Sequence, residues 1–422
     1  MSFLPKGLAR ARLACYTTYF TSAAVFCVPP LLFVTFHERY SISYTLLGTL
    51  IVANFFTQLL VDLLCTVLSK KYHVERLLTF IPIITSLGML IYSLLPVFWP
   101  QIAYVGLLIG TVIFSVAAGL SEVLLSPTVA AIPSEHPDKD MSLLHSLYGF
   151  GVCVMVLLST SALRLIGTER WYIVMAALAL FPMISAILFM TSEIPNIKVG
   201  SEVKTTAART KTRTLGLLLC IGCIFFGSCT ENTMSNWISG YMENALGVPK
   251  LAGDVLGVAI FALLLALVRV AYAKFGKSIA PILLIGMIGS FVCYLIAGLV
   301  PGVLLPFISC IFIGLFSSML WPGTLILMEE NLPDPGVAAF ALLAAAGDLG
   351  ASIAPQLTGI VIDTVSISPI AKRLSATLAL TPEAIGLRAG MLVTSLFPLV
   401  GIVLVTVTLR YFKKIRNMHT DT

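Results

Sequence analysis

Charged side chains are scarce in this sequence. Asp, Glu, Lys and Arg together make up 11% of 422 residues, hydrophobic residues make up 58%, and the mean hydropathy is +0.99. A soluble globular chain carries about twice that share of charge, so a water-exposed fold is excluded. Other signals are missing too. There is no glycine-rich P-loop, no His/Cys/acid cluster at metal-ligand spacing and no nucleophile beside a base, so ATP-driven pumping, a metal or cofactor and enzymatic catalysis are not expected. The nine cysteines fall inside apolar runs and read as thiols packed like small apolar side chains. Cys220 and Cys223 form a C-x-x-C without the soluble βαβ setting that a redox motif needs. The apolar stretch after Arg12 is longer than a signal-peptide core and opens a series, so it is expected to stay in the mature chain.

What fills the sequence is a succession of apolar segments of roughly 20 residues, each long enough to cross ~30 Å of hydrocarbon as a helix. Twelve are expected, at 12–36, 44–68, 78–97, 102–131, 142–163 and 171–192, then 215–242, 255–273, 280–300, 303–328, 337–362 and 389–409. The fold class that follows is an all-α membrane protein. With the N-terminus in the cytosol, most of the 26 basic residues gather on that side, among them Lys6, Arg10, Arg12, Lys70, Lys71, Arg76, Lys139, the run from Lys198 to Arg213 and the tail from Arg410 to Arg416. This is the positive-inside bias. Both termini are therefore expected in the cytosol, with the chain multi-pass in the cell membrane. The net charge of +6 is read as topology and contact with anionic lipid heads rather than as a nucleic-acid surface.

The stretch EIPNIKVGSEVKTTAARTKTRT, 193–214, divides the chain near its midpoint and reads as a cytosolic linker between residues 1–192 and 215–422, six spans each. The halves echo one another. In the fourth span GLSEVLLSPTVAAIP precedes a helix bearing LYGFG, and in the tenth LFSSMLWPGTLIL precedes a helix bearing AAGDLG. A helix-interrupting Pro in each (Pro127, Pro322) and a small-residue stretch beyond it are what a duplicated transporter fold leaves, the small residues letting helix backbones approach closely.

Twelve spans, a 6+6 split and basic turns after spans two and eight resemble the major facilitator superfamily across essentially the whole chain. Within it, SEVLLSP followed by MSLLHSLYGFG is similar to the fucose-permease-like sugar transporters. The resemblance implies two pseudo-symmetric six-helix bundles, alternating access, and spans three, six, nine and twelve at the periphery. Two features depart from it. The superfamily's loop signature is degenerate here as TVLSKKYHVER, and the first span lacks the Asp of the fucose-permease branch, showing Tyr16, Thr17, Thr18, Tyr19, Thr21 and Ser22 instead.

The charged residues inside spans then sort themselves. Asp62 lies in span two, Glu122 in four, Glu231 in seven, Arg269 in eight and Asp348 in eleven, with Arg388 just outside the start of the twelfth. A charge at the bilayer centre costs at least ~2.5–3.5 kcal/mol, so each needs water, substrate or a partner. Burial disfavours a charged carboxyl, which suits a group that takes up and releases a proton. Glu122 is thus the candidate proton-coupling residue, with direct substrate contact and a structural hydrogen bond as the other readings. Asn54, Gln58 and Asp62 are spaced by four and share one helix face. The first two are candidates for substrate contact, and Asp62 for gating or an interhelical ion pair. Glu231 with Asn232, Asn236 and Trp237 offers the amides and ring that a polyhydroxylated ligand needs.

Arg269 is expected near the cytosolic end of its span, snorkelling, pairing with an acid such as Asp348 in an inner gate or holding an anionic substrate, and direct pairing with Glu231 is not expected. Asp348 sits among small residues, where a structural hydrogen bond and a ligand contact both remain open, and His145 could relay protons or simply be solvated. The expected partners are a small-molecule substrate, a proton and the bilayer, with the chain monomeric. The expected activity is secondary active transport of a sugar or similar small polar solute, by proton-coupled import. A multidrug or metabolite exporter of the same fold is the alternative within transport, and a non-transporting membrane sensor the alternative outside it.

Overall fold

Within hydrocarbon every backbone N–H and C=O must find a partner inside its own segment, and long apolar runs achieve this as helices. A computed structural model describes residues 5–68, 74–134, 137–195, 211–276, 278–332 and 336–420, and contains no strand among them. Among the described residues ten helices are long and apolar enough to cross a membrane, or up to twelve if each of two bent pairs is one span. The chain is a multi-pass membrane protein.

Two units emerge from the packing: Met1–Ile42 with Ala53–Glu202, and Ser43–Val52 with Val203–Thr422. Most of the expected linker, 196–210, lies outside the described residues. The first unit contains α1 (Lys6–Leu31), α2 (Phe33–Tyr40), α3 (Tyr44–Leu68) from Ala53 onward, α4 (Val74–Phe98), α5 (Ala103–Ala131), α6 (Pro137–Ile166), α7 (Trp171–Leu178) and α8 (Phe181–Met190). The second begins with the first turns of α3 and continues through α9 (Lys211–Gly240), α10 (Lys250–Ala252), α11 (Ile260–Phe275), α12 (Ala280–Leu299), α13 (Leu304–Ser317), α14 (Leu320–Asn331), α15 (Gly336–Ser366), α16 (Pro369–Leu378), α17 (Pro382–Thr394) and α18 (Leu396–Thr420). Two π-helical segments, Tyr241–Ala245 and Gly253–Ala259, extend α9 and join α10 to α11.

Several span boundaries differ from the sequence expectation, and proline accounts for two of them. The first span is bent by 47° between α1 and α2, directly after Pro29 and Pro30, two adjacent residues that supply no backbone donor. The tenth breaks between α13 and α14, because Pro322 cannot donate to the carbonyl four residues back, which is Ser318. Pro127, expected to interrupt span four, sits inside a continuous α5. The eighth span starts at Lys250 rather than 255, and the twelfth at Pro382 rather than 389.

That last shift corrects the sorting of charges. Arg388 lies inside the twelfth span, only 8% exposed, with Nη1 donating to Val300 O (2.7 Å) and Nη2 to Gly302 O (3.3 Å). Its cation satisfies a carbonyl just beyond the end of α12, where helix backbone runs out of donors.

Each unit packs in a corresponding way at its small residues. On α6, a Cβ at Gly151 would collide with the Phe20 carbonyl of α1. On α15, one at Gly350 would collide with the Phe225 carbonyl of α9. In chain order these are spans five on one and eleven on seven, so LYGFG and AAGDLG do the same job in their own bundles: both bring two backbones into contact. The apolar cores include Leu78, Ile81, Ala117, Leu124 and Phe189 in the first unit and Cys223, Leu283, Met287, Leu327 and Val405 in the second.

Candidate functional site

In the first unit the polar seam predicted on α3 is internal. Gln58 Nε2 donates to Asn54 Oδ1 (3.0 Å), and Ser115 Oγ of α5 donates to the same oxygen (2.6 Å), all three side chains being buried. Asn54 and Gln58 therefore clamp α3 to α5 and have little edge left to offer a ligand. Glu122, about five turns into the same α5, is exposed although Ser121, Leu124 and Leu125 around it are buried. Its carboxyl interacts electrostatically with the Tyr19 hydroxyl of α1 and the Asp62 carboxyl of α3.

Tyr19 packs edge-on to Tyr148 (centroids 6.2 Å), Tyr148 to Phe26 (5.8 Å), and Phe26 lies 6.3 Å from Phe55. All four rings are half-buried. The result is a carboxylate bordered by aromatic edges and a second acid. The ring cluster was not predicted; the signal was present as aromatics at 19 and 26 on α1 and in LYGFG, but only packing assembles them. His145 lies on α6, and its side chain is outside the described residues.

In the second unit the expectation that Glu231 and Arg269 stay apart fails. Arg269 Nη2 donates to Glu231 Oε1 at 3.2 Å and to Oε2 at 3.3 Å, while Nε donates to Ser318 O at 2.9 Å. The reason lies in Pro322. By failing to donate to Ser318 it leaves a bare carbonyl near the middle of the Leu304–Asn331 span, and the long arginine stem of α11 reaches that carbonyl instead of snorkelling outward. Arg269 is then held at the depth of Glu231. The Arg269 side chain remains 39% exposed and that of Glu231 17%. Arg269 thus takes its acid from α9, and no bond to Asp348, half-buried on α15 beside Gly347, accounts for its position.

Along α9, Ser228, Glu231, Asn232, Ser235, Asn236 and Ser239 recur at helical spacing, forming one polar face. Asn232 Nδ2 donates to Ser228 Oγ (3.1 Å) and Asn236 Nδ2 to Asn232 O (2.8 Å), while Ser235 is exposed. Trp237, expected on this face as a stacking platform, is 1% exposed and donates from Nε1 to Pro355 O of α15 (3.0 Å). It is a packing residue, its ring lying against Pro355 and Gly359 of α15.

Span boundaries set a few residues off hid two further clusters. Asp254, one residue before the expected eighth span, is buried and accepts from Ser239 Oγ (2.5 Å), with Lys250 Nζ 3.4 Å from it and 3.5 Å from Glu243. Asp363, one residue past the expected eleventh span, accepts from the backbone N–H of Tyr44 (3.0 Å) and Thr45 (2.6 Å), the first turn of α3. A carboxylate there meets the bare donors of a helix N-terminus. Nearby, Glu383 accepts from the Tyr44 hydroxyl and from Asn244 Nδ2 (2.8 Å). Among the described residues no group of three His, Cys, Asp or Glu is arranged to hold a metal ion, and no disulfide links the nine cysteines.

Two helical units with charged and amide side chains held inside membrane-spanning helices define a membrane transporter. The chain belongs to the Major Facilitator Superfamily, whose family profile matches residues 14–355. Its fold is similar to solved structures of that kind. A bacterial homolog of the human lysosomal transporter Spinster, in an inward-facing and occupied conformation, aligns at 16% identity with a TM-score of 0.74, covering 96% of this chain and 97% of that one. The D-xylose–proton symporter aligns at 16% identity and TM-score 0.69, covering 93% and 96%, and the nucleoside transporter NupG at 13% and 0.67, covering 97% and 100%. No curated protein sequence matches the chain. The likeness to the fucose-permease branch finds no support in these comparisons, which reach the superfamily and its fold.

Proposed function

We propose that the protein is a secondary active transporter that imports a sugar or similar small polar solute together with a proton, by alternating access. The observation that carries this reading is Glu122. A carboxylate exposed inside a span, beside Asp62 and half-buried rings, sits where lipid contact would cost ~2.5–3.5 kcal/mol or more, so it faces a path for water and solute. Aromatic edges suit the C–H faces of a sugar. The polar face of α9 suits its hydroxyls, and one of the solved structures of similar fold is a sugar–proton symporter.

In this reading Glu122 takes up the coupling proton, Asp62 and Asp348 act in gating, and the termini and 193–214 are cytosolic in the cell membrane. Uptake of labelled solutes into proteoliposomes with and without an imposed pH gradient tests it. Glu122→Gln is expected to abolish gradient-driven accumulation and to spare solute exchange, which moves no net proton. Wild-type accumulation by that variant would remove Glu122 as the coupling acid. A cysteine at Thr206 should react with an impermeant thiol reagent only once the inner face is opened, the native thiols being buried or half-buried.

A further inference from the structure

We infer that the solute bound by the second unit is an anion, a polyhydroxylated carboxylate of sugar-acid type, whose carboxylate is received by Arg269. This rests on the transport reading above and narrows its substrate. The guanidinium is a planar fork of five N–H donors. Nε is spent on Ser318 O and Nη2 on Glu231, whereas Nη1 donates to no group among the described residues. The Arg269 side chain as a whole remains 39% exposed.

Two fixed contacts orient the fork, so little freedom is lost when a third group docks, and a carboxylate is the shape that arginine receives through parallel N–H bonds. A lysine would have served a purely electrostatic role; the anchored fork adds direction. Beside it, Asn232 Nδ2 donates to Ser228 O and Oγ and Asn236 Nδ2 donates to Asn232 O, all within their own helix. Their oxygens and the exposed Ser235 hydroxyl are left to take hydrogen bonds from a ligand's hydroxyls. Carboxylate at one end and hydroxyl donors along the other is the chemistry of a sugar acid.

Charge balance agrees with the transport reading. Glu231 and Arg269 are together neutral, so a bound monoanion leaves one uncompensated negative charge in the membrane interior, and the co-imported proton removes it, one for one.

The test is equilibrium binding to the purified full chain with D-glucuronate and D-glucose, which differ only in carrying a carboxylate or a hydroxymethyl group at C6. Wild-type protein is expected to bind glucuronate at least about tenfold more tightly than glucose. Arg269→Gln is expected to lose that preference, and Arg269→Lys to keep part of it. Equal binding of the two, binding of glucose alone or binding of neither overturns the proposal, and these comparisons need no variant to fold. Retention of the full preference by Arg269→Gln overturns it as well.

Failure of the transport reading shows separately. Accumulation of glucose under a pH gradient would leave transport standing and the anion assignment fallen. Glucuronate bound but never accumulated would do the reverse.

Discussion

Removing either end of the Glu231–Arg269 pair strands the other inside the membrane, and a double-mutant cycle isolates what the contact itself is worth. The single change Arg269→Gln also deprives Ser318 O of its donor, a loss on the order of 1–3 kcal/mol for a buried acceptor, so its effect alone overstates the pair. Comparing Glu231→Gln, Arg269→Gln and the double variant subtracts that contribution. Fully exposed pairs give ~0.2–1 kcal/mol, and breaking a fully buried one costs ~3–5 kcal/mol. With 39% and 17% of the two side chains exposed and contacts at 3.2 and 3.3 Å, a coupling of about 1–2 kcal/mol is expected. The assay is denaturant titration of the purified protein in micelles, read by tryptophan fluorescence. Strict additivity, with coupling below about 0.3 kcal/mol, would refute the argument that Ser318 fixes Arg269 at the depth of Glu231.

The same logic reaches Pro322. Pro322→Ala restores an N–H that can serve Ser318 O, so stability is expected to rise by about 1 kcal/mol while the coupling in the Glu231–Arg269 cycle falls; an unchanged coupling would show that the freed carbonyl does not hold Arg269. Trp237→Phe should lose about 1 kcal/mol with its bond to Pro355 O, and Trp237→Ala about 3–5 kcal/mol, both in denaturant titration. Solute affinity in the Phe variant should stay at wild type, and a drop of tenfold or more would restore the ring to the binding face.

At the end of the first bundle, burial raises the pKa of Asp140, but hydrogen bonds from Ser134, Arg12 and Tyr16 and the charge of Arg12 outweigh it and hold the carboxyl below the usual range. Its stabilisation is therefore complete above the unfolded-state pKa of about 4 and is lost as pH falls through the lower folded-state value. Because both side chains are partly exposed, the effect is no more than about 1 kcal/mol. Asp140→Asn should flatten stability over that acid range, and an identical acid profile in wild type and variant would dismiss the contribution.

Composition and period alone determined a helical, membrane-spanning chain, because hydrocarbon admits few backbone solutions and needs about 20 residues for each crossing. The small residues of LYGFG and AAGDLG were legible for a similar reason: only a missing side chain lets one helix backbone touch another, and Gly151 and Gly350 do so. Charges in spans were legible as exceptions, and Glu122, Glu231 and Arg269 were found that way. Their partners were not.

Pairing of Glu231 with Arg269 depended on a carbonyl freed 49 residues beyond the arginine by Pro322, a long-range consequence that spacing along α11 does not carry. Burial of Trp237 depended on which way one side of α9 turned against α15. Asp254 and Asp363 escaped because a charged residue at a span's edge looks the same in sequence whether it faces water or meets donors inside the fold, Ser239 and Lys250 for the first and the backbone of Tyr44 and Thr45 for the second. The one-dimensional pattern fixes which segments must leave water, whereas the side chains of those segments acquire partners only when the helices that carry them are packed.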